Sequence, residues 1–554
     1  MKNRELALIF EKIGNALEFK GEIPFKVSAY RRVAKILEEL PQDVEEIWKK
    51  GELRKIPGVG EGIAKKIDEY LRTGRMKKFE EATKGISEDL LKLLEIQSLG
   101  PKTLRLAYEK LGVDCEEKLE KVINDGSLAS LPGMGEKKVE NIKKGLQLFK
   151  KEKGRISIGV ALPLAEEVIN WMKKMEVEKI APAGSLRRMK ETIGDIDILV
   201  AHNRGEEVVK HFTNFPKAER VLLQGKTKGS ILVYGGYQVD IRVVPPNCYG
   251  AALQYFTGSK AHNIKLRSIA KEKGLKISEY GVFKGEKIVA GETEESVYNA
   301  LGLKWIPPEL REDRGEVEKN GVEGLIEYGD ILGDLHIHSN YSDGVNSIEE
   351  IAEYAKKLGY RYIAITDHSK SAKYARGIDE ETLKLQIKEI EKVEKRIGIR
   401  ILKGIEVELK KDGTPDFDDE VLKKLDVVIG AIHIFPKDVD MTPTLLHACR
   451  NPHIHIIAHP TGRLISKREG YKVNIERVIK EAKNTNTYLE INSYPERLDL
   501  NDVWARMAKE YGVKIVIGSD AHNVGMLRII RFGVGVARRG WLTKWEVVNT
   551  QNAF

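Results

Sequence analysis

Six short apolar runs recur between residues 333 and 554: RYIAITDHS, IRILKGIEVE, DVVIGAIH, IHIIAHP, TYLEINS and VKIVIGSDAH. Each is rich in β-branched residues, closes on polar groups and alternates with helix-period segments such as IEEIAEYAKKLG. Strands buried on both faces read as continuous apolar runs, so this pattern predicts βα units of a parallel barrel, with chemistry gathered where the strands end.

Nine of the 12 histidines lie in this region. His336 and His338 alternate on one strand face, and His368, His433, His459 and His522 close apolar runs, in company with Asp343, Glu406 and Asp520. A single histidine at a strand end is usually structural, but this concentration points to a metal centre. Mixed imidazole and carboxylate donors favour Zn²⁺, Mn²⁺ or Fe²⁺ over Mg²⁺. Asp334 and Asp367, beside ligating histidines, are expected to orient the imidazoles by accepting their N–H groups. His447, His453 and His455 read as structural or surface residues.

Residues 1–152 read as helices with short turns. Ile56-Pro-Gly-Val-Gly60 and Leu131-Pro-Gly-Met-Gly135 share one pattern, each followed by a basic helical segment, and Ile96-Gln-Ser-Leu-Gly100 is an eroded third copy. Glycines in a tight turn before a helix aim backbone N–H groups outward, where a nucleic-acid phosphate can accept them. Gly58, Gly60, Gly100, Gly133 and Gly135 are therefore candidate DNA contacts. The middle copy, with Gln97 and Ser98 in place of Pro and Gly, is expected to bind phosphate least well.

From about residue 155, strands DIDILVAH, SILVYGG and YQVDIRVV appear. Asp195 and Asp197 stand two apart and point to one face, and Asp240 interrupts a third apolar strand. Three converging carboxylates suit two Mg²⁺ ions that activate a hydroxyl and stabilise a leaving oxygen. Gly184 and Ser185 lie where backbone and hydroxyl can meet a phosphate, and Arg188 can neutralise a triphosphate. The charged stretch Glu309–Gly321 has no apolar period and reads as a linker between two independent cores.

Composition narrows the rest. At 554 residues the chain needs several domains, and 41% hydrophobic content excludes disorder. Three distant cysteines exclude a disulfide framework or a CxxC module, and no apolar run is long enough to span a membrane. The first 20 residues lack a signal peptide's apolar core, so a cytoplasmic protein is expected. A formal net charge of +9 is modest, leaving local motifs to carry any nucleic-acid reading.

GSLRR, GDIDIL, VDIRVVP and YFTGS follow one another as in the family X DNA polymerases, the polymerase-beta-like nucleotidyltransferases, which residues 1–310 resemble through LGLKWIPPELR. The resemblance implies a helix-hairpin-helix lyase-like domain (1–83), helix-hairpin-helix fingers (84–152), a nucleotidyltransferase palm (153–245) and a thumb (246–308), with 309–332 as linker. It implies that Asp195 and Asp197 bind both metals and Asp240 the one at the primer hydroxyl. Ser185 and Arg188 match triphosphate contacts, Tyr255, Phe256 and Gly258 the segment against the nucleotide sugar, and Asn263 and Arg267 residues facing the nascent base pair and template. Lys66 matches the lyase lysine that forms a Schiff base with an abasic sugar; a solvated, DNA-contacting lysine is the other reading. Gln238, Lys260 and Gly62 depart from the residues common in relatives.

Residues 333–554 resemble the PHP (polymerase and histidinol phosphatase) domain through GDLHIHSNYSDG, TDHS, HPTGRL and SDAH. This implies a distorted (β/α)₇ barrel with up to three metals: His336, His338, Glu406 and Asp520 on the first, Glu406 bridging to a second on His433 and His459, and Asp343, His368 and His522 on the third. The combined expectation is a monomeric DNA polymerase for short-gap repair, taking gapped or primer-template DNA and dNTP. Its PHP domain would act as a 3′→5′ exonuclease or phosphoesterase, with abasic-site endonuclease and 3′-phosphatase as further options. The alternative is a PHP nuclease whose polymerase-like half serves mainly as a DNA-binding scaffold.

Overall fold

The computed structural model describes residues 2–40, 44–56, 58–94, 96, 98–152, 155–233, 236–435, 439–466 and 468–551. The amino-terminal region is helical. The three repeat turns lead into α1 (Glu61–Thr73), α2 (Pro101–Leu111) and α3 (Glu136–Glu152). They share one backbone geometry: Val59, Leu99 and Met134 donate to the carbonyls of Ile56, Ile96 and Leu131, at 3.0, 3.1 and 3.0 Å. The residue before each donor has positive φ, +83° at Gly58, +69° at Ser98 and +72° at Gly133. The eroded copy thus keeps its turn, because serine tolerates this conformation at modest cost.

A five-stranded sheet follows: β1 (Lys179–Pro182), β2 (Ile196–Ala201), β3 (Ala218–Gln224), β4 (Lys228–Val233) and β5 (Tyr237–Val244), in the order β1-β2-β5-β4-β3. Only β2 and β5 pair in parallel, with Asp197 opposite Asp240. The single turn α4 (Gly184–Arg187) sits between β1 and β2. Helices α5 (Tyr249–Thr257) and α6 (Lys260–Glu272) come next; Ser259 caps α6, its hydroxyl accepting from the His262 amide.

The carboxy-terminal region is a seven-stranded parallel sheet in strictly sequential order. Its strands are β6 (Gly333–Asp334), β7 (Tyr362–Ile365), β8 (Arg400–Glu408), β9 (Val427–Ala431), β10 (Ile456–Ile457), β11 (Tyr488–Asn492) and β12 (Ile515–Gly518). A parallel bridge from Ile337 to Ala521 brings the two ends together into a nearly closed barrel. β7, β9 and β12 are buried throughout, which accounts for their unbroken apolar runs. The last α-helix among the described residues is α7 (Ile530–Arg539). Among the described residues no helix is long and apolar enough to cross a membrane.

Two expectations are corrected. The stretch read as a linker is a buried strap: Leu310, Arg311, Glu316 and Val317 are all buried. Its charges are paired with residues outside the strap. Arg311 donates to Glu294 at 2.6 Å, Glu316 lies 2.7 Å from His262 Nδ1, and Glu309 accepts from Arg538 at 2.9 Å. Charges buried in pairs break the apolar period just as a solvated run does. The two cores are also not independent. Leu186, Met189 and Ile193 of the first half share one apolar cluster with Phe532, Val534 and Val536 of α7.

Two candidate metal centres

The first centre lies at the β2–β5 pair. Asp195 directly precedes β2, Asp197 is on it and Asp240 is on β5, with one carboxylate oxygen from each within 4.8 Å of the others. Burial pushes the Asp197 carboxyl up to about 7, and the charges of Asp195 and Asp240 add to the shift. Crowded carboxylates of this kind repel one another unless cations lie between them, and an all-oxygen donor set suits Mg²⁺. Gln238 donates to both oxygens of Asp240, at 3.0 and 3.1 Å, fixing its plane. A cleft of about 410 Å³ opens beside Asp197, Asp240, Arg242 and Phe256.

Gly184, Arg188 and Phe256 lie beside this cluster. Gly184 has φ +58°, and a Cβ there would lie 2.3 Å from Asp197 Oδ2, so only glycine fits. Ser185 follows it on α4. Arg188 donates through Nε to Glu312 at 3.0 Å and through Nη1 to the Thr257 carbonyl at 2.5 Å, against Gly258. Tyr255 and Phe256 pack edge to face, with centroids 5.1 Å apart. Arg267 lies over Tyr255 and Arg242 over Phe256. Asn263 donates to the Tyr255 carbonyl at 2.8 Å and accepts from Gln254.

The second centre occupies the carboxyl-terminal end of the barrel. His336 and His338 follow β6, His368 follows β7, Glu406 is on β8, His433 follows β9, His459 follows β10, and Asp520 and His522 follow β12. Asp343 comes from the loop after β6. Glu406 lies at the middle, its oxygens 3.4 Å from His336 Nε2, 3.7 Å from His338 Nε2, 2.8 Å from His368 Nδ1, 3.6 Å from His433 Nε2 and 3.5 Å from His459 Nε2. Asp520 is 3.2 Å from His338, and Asp343 is 3.3 Å from His522 and 3.7 Å from His368. Three groups of these residues overlap: His338 and His368 stand together with Asp343 and His522, His338 also with His336 and Glu406, and His368 also with Glu406 and His433.

Cations fit this set. His336 Nε2, both nitrogens of His338 and His459, and both oxygens of Glu406 are buried and make no hydrogen bond among the described residues. Such atoms are costly to bury unpartnered, and a bound cation satisfies them. Burial brings the His338 imidazole down to about 3 and that of His459 to about 4, so both are neutral near pH 7, the form in which an imidazole can take a metal. His459 and Asp520 also hold positive φ, +28° and +53°, an uncommon geometry that clusters at functional sites.

The carboxylates that orient the imidazoles are not those expected. Asp334 accepts from the backbone amides of His336 and Ser519, and Asp367 from Ser339, Ser342 and Gln386; neither bonds an imidazole. That role falls to Glu490, 2.6 Å from His336 Nδ1, and Glu408, 2.8 Å from His433 Nδ1. Glu490 also accepts from the His459 amide at 2.8 Å. The signal for Glu490 was a carboxylate inside the apolar run TYLEINS; for Glu408, its place two residues beyond Glu406 on one strand face. His447 is exposed, and His455 accepts from the Val428 amide through Nδ1.

In the amino-terminal region Lys66 is half-buried on α1 and donates to the Gly62 carbonyl at 2.9 Å. Its ammonium is lowered by burial first and by Lys78 next. Lys65 instead pairs with Glu61 at 2.9 Å.

Four families match the chain: Helix-hairpin-helix domain over residues 1–76, SAM-like Helix-hairpin-helix tandem over 90–148, DNA polymerase beta thumb over 252–312, and PHP domain over 334–494. DNA polymerase/3′-5′ exonuclease PolX of Bacillus subtilis (strain 168) is 41% identical across 100% of this chain and 98% of its own length. The chain belongs to the PolX family. Its barrel is also similar to probable phosphatases. One from Thermoanaerobacter sp. (strain X514) is 32% identical over 39% of this chain and 89% of its own length. One from Caldanaerobacter subterraneus subsp. tengcongensis is 34% identical over 34% of this chain and 75% of its own length.

Proposed function

We propose that the chain is a DNA-directed DNA polymerase joined to a metal-dependent 3′→5′ exonuclease. The observation that carries the reading is the presence, in one chain similar to PolX along its whole length, of two complete acidic and imidazole clusters on separate sheets. In the palm, Asp195, Asp197 and Asp240 would hold two Mg²⁺ ions, which supply charge neutralisation for nucleotidyl transfer. The chain's own residues position the reactants. Arg188 and Ser185 engage the triphosphate, Tyr255, Phe256 and Gly258 border the sugar, and Asn263 and Arg267 face the base pair. The primer 3′-oxygen attacks the α-phosphorus, and the bond to the β-phosphate breaks to release pyrophosphate.

In the barrel the nine ligands would hold up to three Zn²⁺, Mn²⁺ or Fe²⁺ ions, which supply Lewis acidity for phosphodiester hydrolysis. Glu490 and Glu408 keep His336 and His433 in the tautomer that leaves Nε2 free. The hairpin glycines Gly58, Gly60, Gly100, Gly133 and Gly135 contact the DNA backbone, and Lys66 acts on 5′-deoxyribose phosphate. Together these activities suit repair synthesis at short gaps by a monomer.

A gapped duplex with a 5′-labelled primer, given Mn²⁺ with and without dNTPs, tests the reading. Extension with nucleotides and shortening without them is expected. Shortening in both would reduce the polymerase-like half to a DNA-binding scaffold.

A further inference from the structure

Arg188, the arginine proposed to meet the triphosphate, is braced from the barrel. Arg188 Nε donates to Glu312 Oε1 at 3.0 Å, and Arg539 Nη1, from the last turn of α7, donates to the same oxygen at 3.0 Å. That Nη1 also donates to the Arg188 carbonyl at 2.8 Å, while Nη2 donates to Asp502 at 3.0 Å. Asp502 is shared with Arg314 of the strap at 2.9 Å. Arg539 is only 4% exposed, so its guanidinium is committed to these partners.

The approach that permits this is close. A Cβ at Gly535 of α7 would lie 2.7 Å from Met189 Cε, and Met189, at φ +53°, directly follows Arg188. Glycine at that position lets the barrel's helix reach the backbone of the arginine loop.

We propose that Arg539 is a positioning residue for nucleotide binding in the palm, contributed by the barrel; this rests on the polymerase reading above. Glu312 fixes the Arg188 side chain, but a carboxylate beside that guanidinium also cancels its charge and repels a triphosphate. Arg539 shares the same oxygen from the other side, and Lys190 lies 4.0 Å away. The cluster therefore stays net positive while Arg188 stays oriented. Burial alone would raise the Glu312 carboxyl, but Arg188 and Arg539 hold it below the usual range, so it is ionised and in need of this compensation. A lysine lacks the planar fork that reaches Glu312, the Arg188 carbonyl and Asp502 at once.

The test uses the full-length chain bound to a primer-template whose primer ends in a dideoxynucleotide. Equilibrium binding of the next dNTP is measured in Mg²⁺, alongside single-nucleotide insertion on an extendable primer. Arg539→Gln should raise the dissociation constant and KM about tenfold, with kcat within about twofold, the mark of lost ground-state binding. Adding Glu312→Gln should bring both back towards the parental value, because the uncompensated carboxylate is gone. Shortening of 3′ ends in Mn²⁺ should be unchanged, since Arg539 touches no residue of the histidine cluster. If Arg539→Gln does not fold, Arg539→Lys carries the test, with a smaller rise in the same constants.

Parental nucleotide binding in a folded Arg539 variant overturns the proposal. So does a loss that Glu312→Gln fails to relieve, which would mark a purely architectural arginine. A parental chain that binds DNA but neither binds dNTP nor extends a primer would instead remove the polymerase reading itself.

Discussion

His336 Nδ1 lies 2.6 Å from a carboxylate oxygen of Glu490, and both side chains are wholly buried. With a proton held between Nδ1 and Glu490, the ring turns Nε2 to the side facing Glu406 and Asp520, 3.4 and 3.6 Å away. Glu490 therefore fixes the ring of a candidate ligand from behind, on the side away from Glu406 and Asp520.

Glu490→Gln should weaken metal binding by the barrel about 10- to 100-fold, the usual cost of removing a carboxylate behind a ligating histidine. Metal content after dialysis against graded chelator checks this, and 3′-end shortening should fall in step. Undiminished metal retention would show that Glu490 does not orient the ring.

In the palm, Asp240→Ala should abolish primer extension, because the Asp195–Asp197–Asp240 cluster loses one of its three carboxylates. Duplex binding, followed by anisotropy, should persist, since the proposed phosphate contacts lie in the hairpins and basic residues rather than in the carboxylate cluster. Normal extension by this variant would remove Asp240 from the site.

Gly184→Ala tests the same site through its backbone. The added methyl would lie 2.3 Å from Asp197 Oδ2 at a φ of +58° that alanine disfavours, so the carboxylate must move. A displacement of about 1 Å at reacting groups can cost about 100-fold, and insertion should fall by that order with the melting temperature little changed. Parental insertion rates would show that Asp197 has room the geometry denies.

Much of this was legible in the sequence, and the exceptions have a common cause. The barrel's candidate ligands stand out because imidazoles and carboxylates at the ends of apolar strands have few structural uses. The carboxylate pair on β2 and β5 was legible for the same reason. Glu490 and Glu408 were missed because a carboxylate that bonds an imidazole differs from a ligand only in what it faces, which depends on pairing between strands distant in sequence. The strap was read as a linker because Arg311, Glu312 and Glu316 find partners in Glu294, Arg188 and His262, none of them local. The third hairpin is recognisable as an eroded copy, but its kept turn is not legible from Ser98, because positive φ rather than glycine itself is the requirement.

Lys66 is expected to be trapped on DNA bearing a 5′-deoxyribose phosphate when borohydride is present. Burial and the nearby Lys78 lower its ammonium, which raises the share of free amine available to attack the sugar aldehyde. Lys66→Ala should lose the trapped species on a denaturing gel. Equal trapping by the variant would assign the adduct to another amine.

The two activities should separate on His336→Ala even though the two halves share an apolar interface. That interface is bridged by Arg463 to Glu191 at 2.8 Å and Arg531 to Glu166 at 2.7 Å, besides the Arg539 cluster. None of these residues touches His336, whose partners are Glu490, Glu406 and Asp520, and side chains without shared partners act nearly independently. The variant should lose metal and 3′-end shortening, while nucleotide addition stays within about twofold of the parent. A barrel that needs its ions to fold would behave differently: the brace from α7 would be released, and extension would fail together with hydrolysis. Thermal melts distinguish the cases. Loss of both activities with a lowered melting temperature would trace the coupling to folding, whereas loss of both at the parental melting temperature would mean that His336 serves the palm directly and that the two sites are one functional unit.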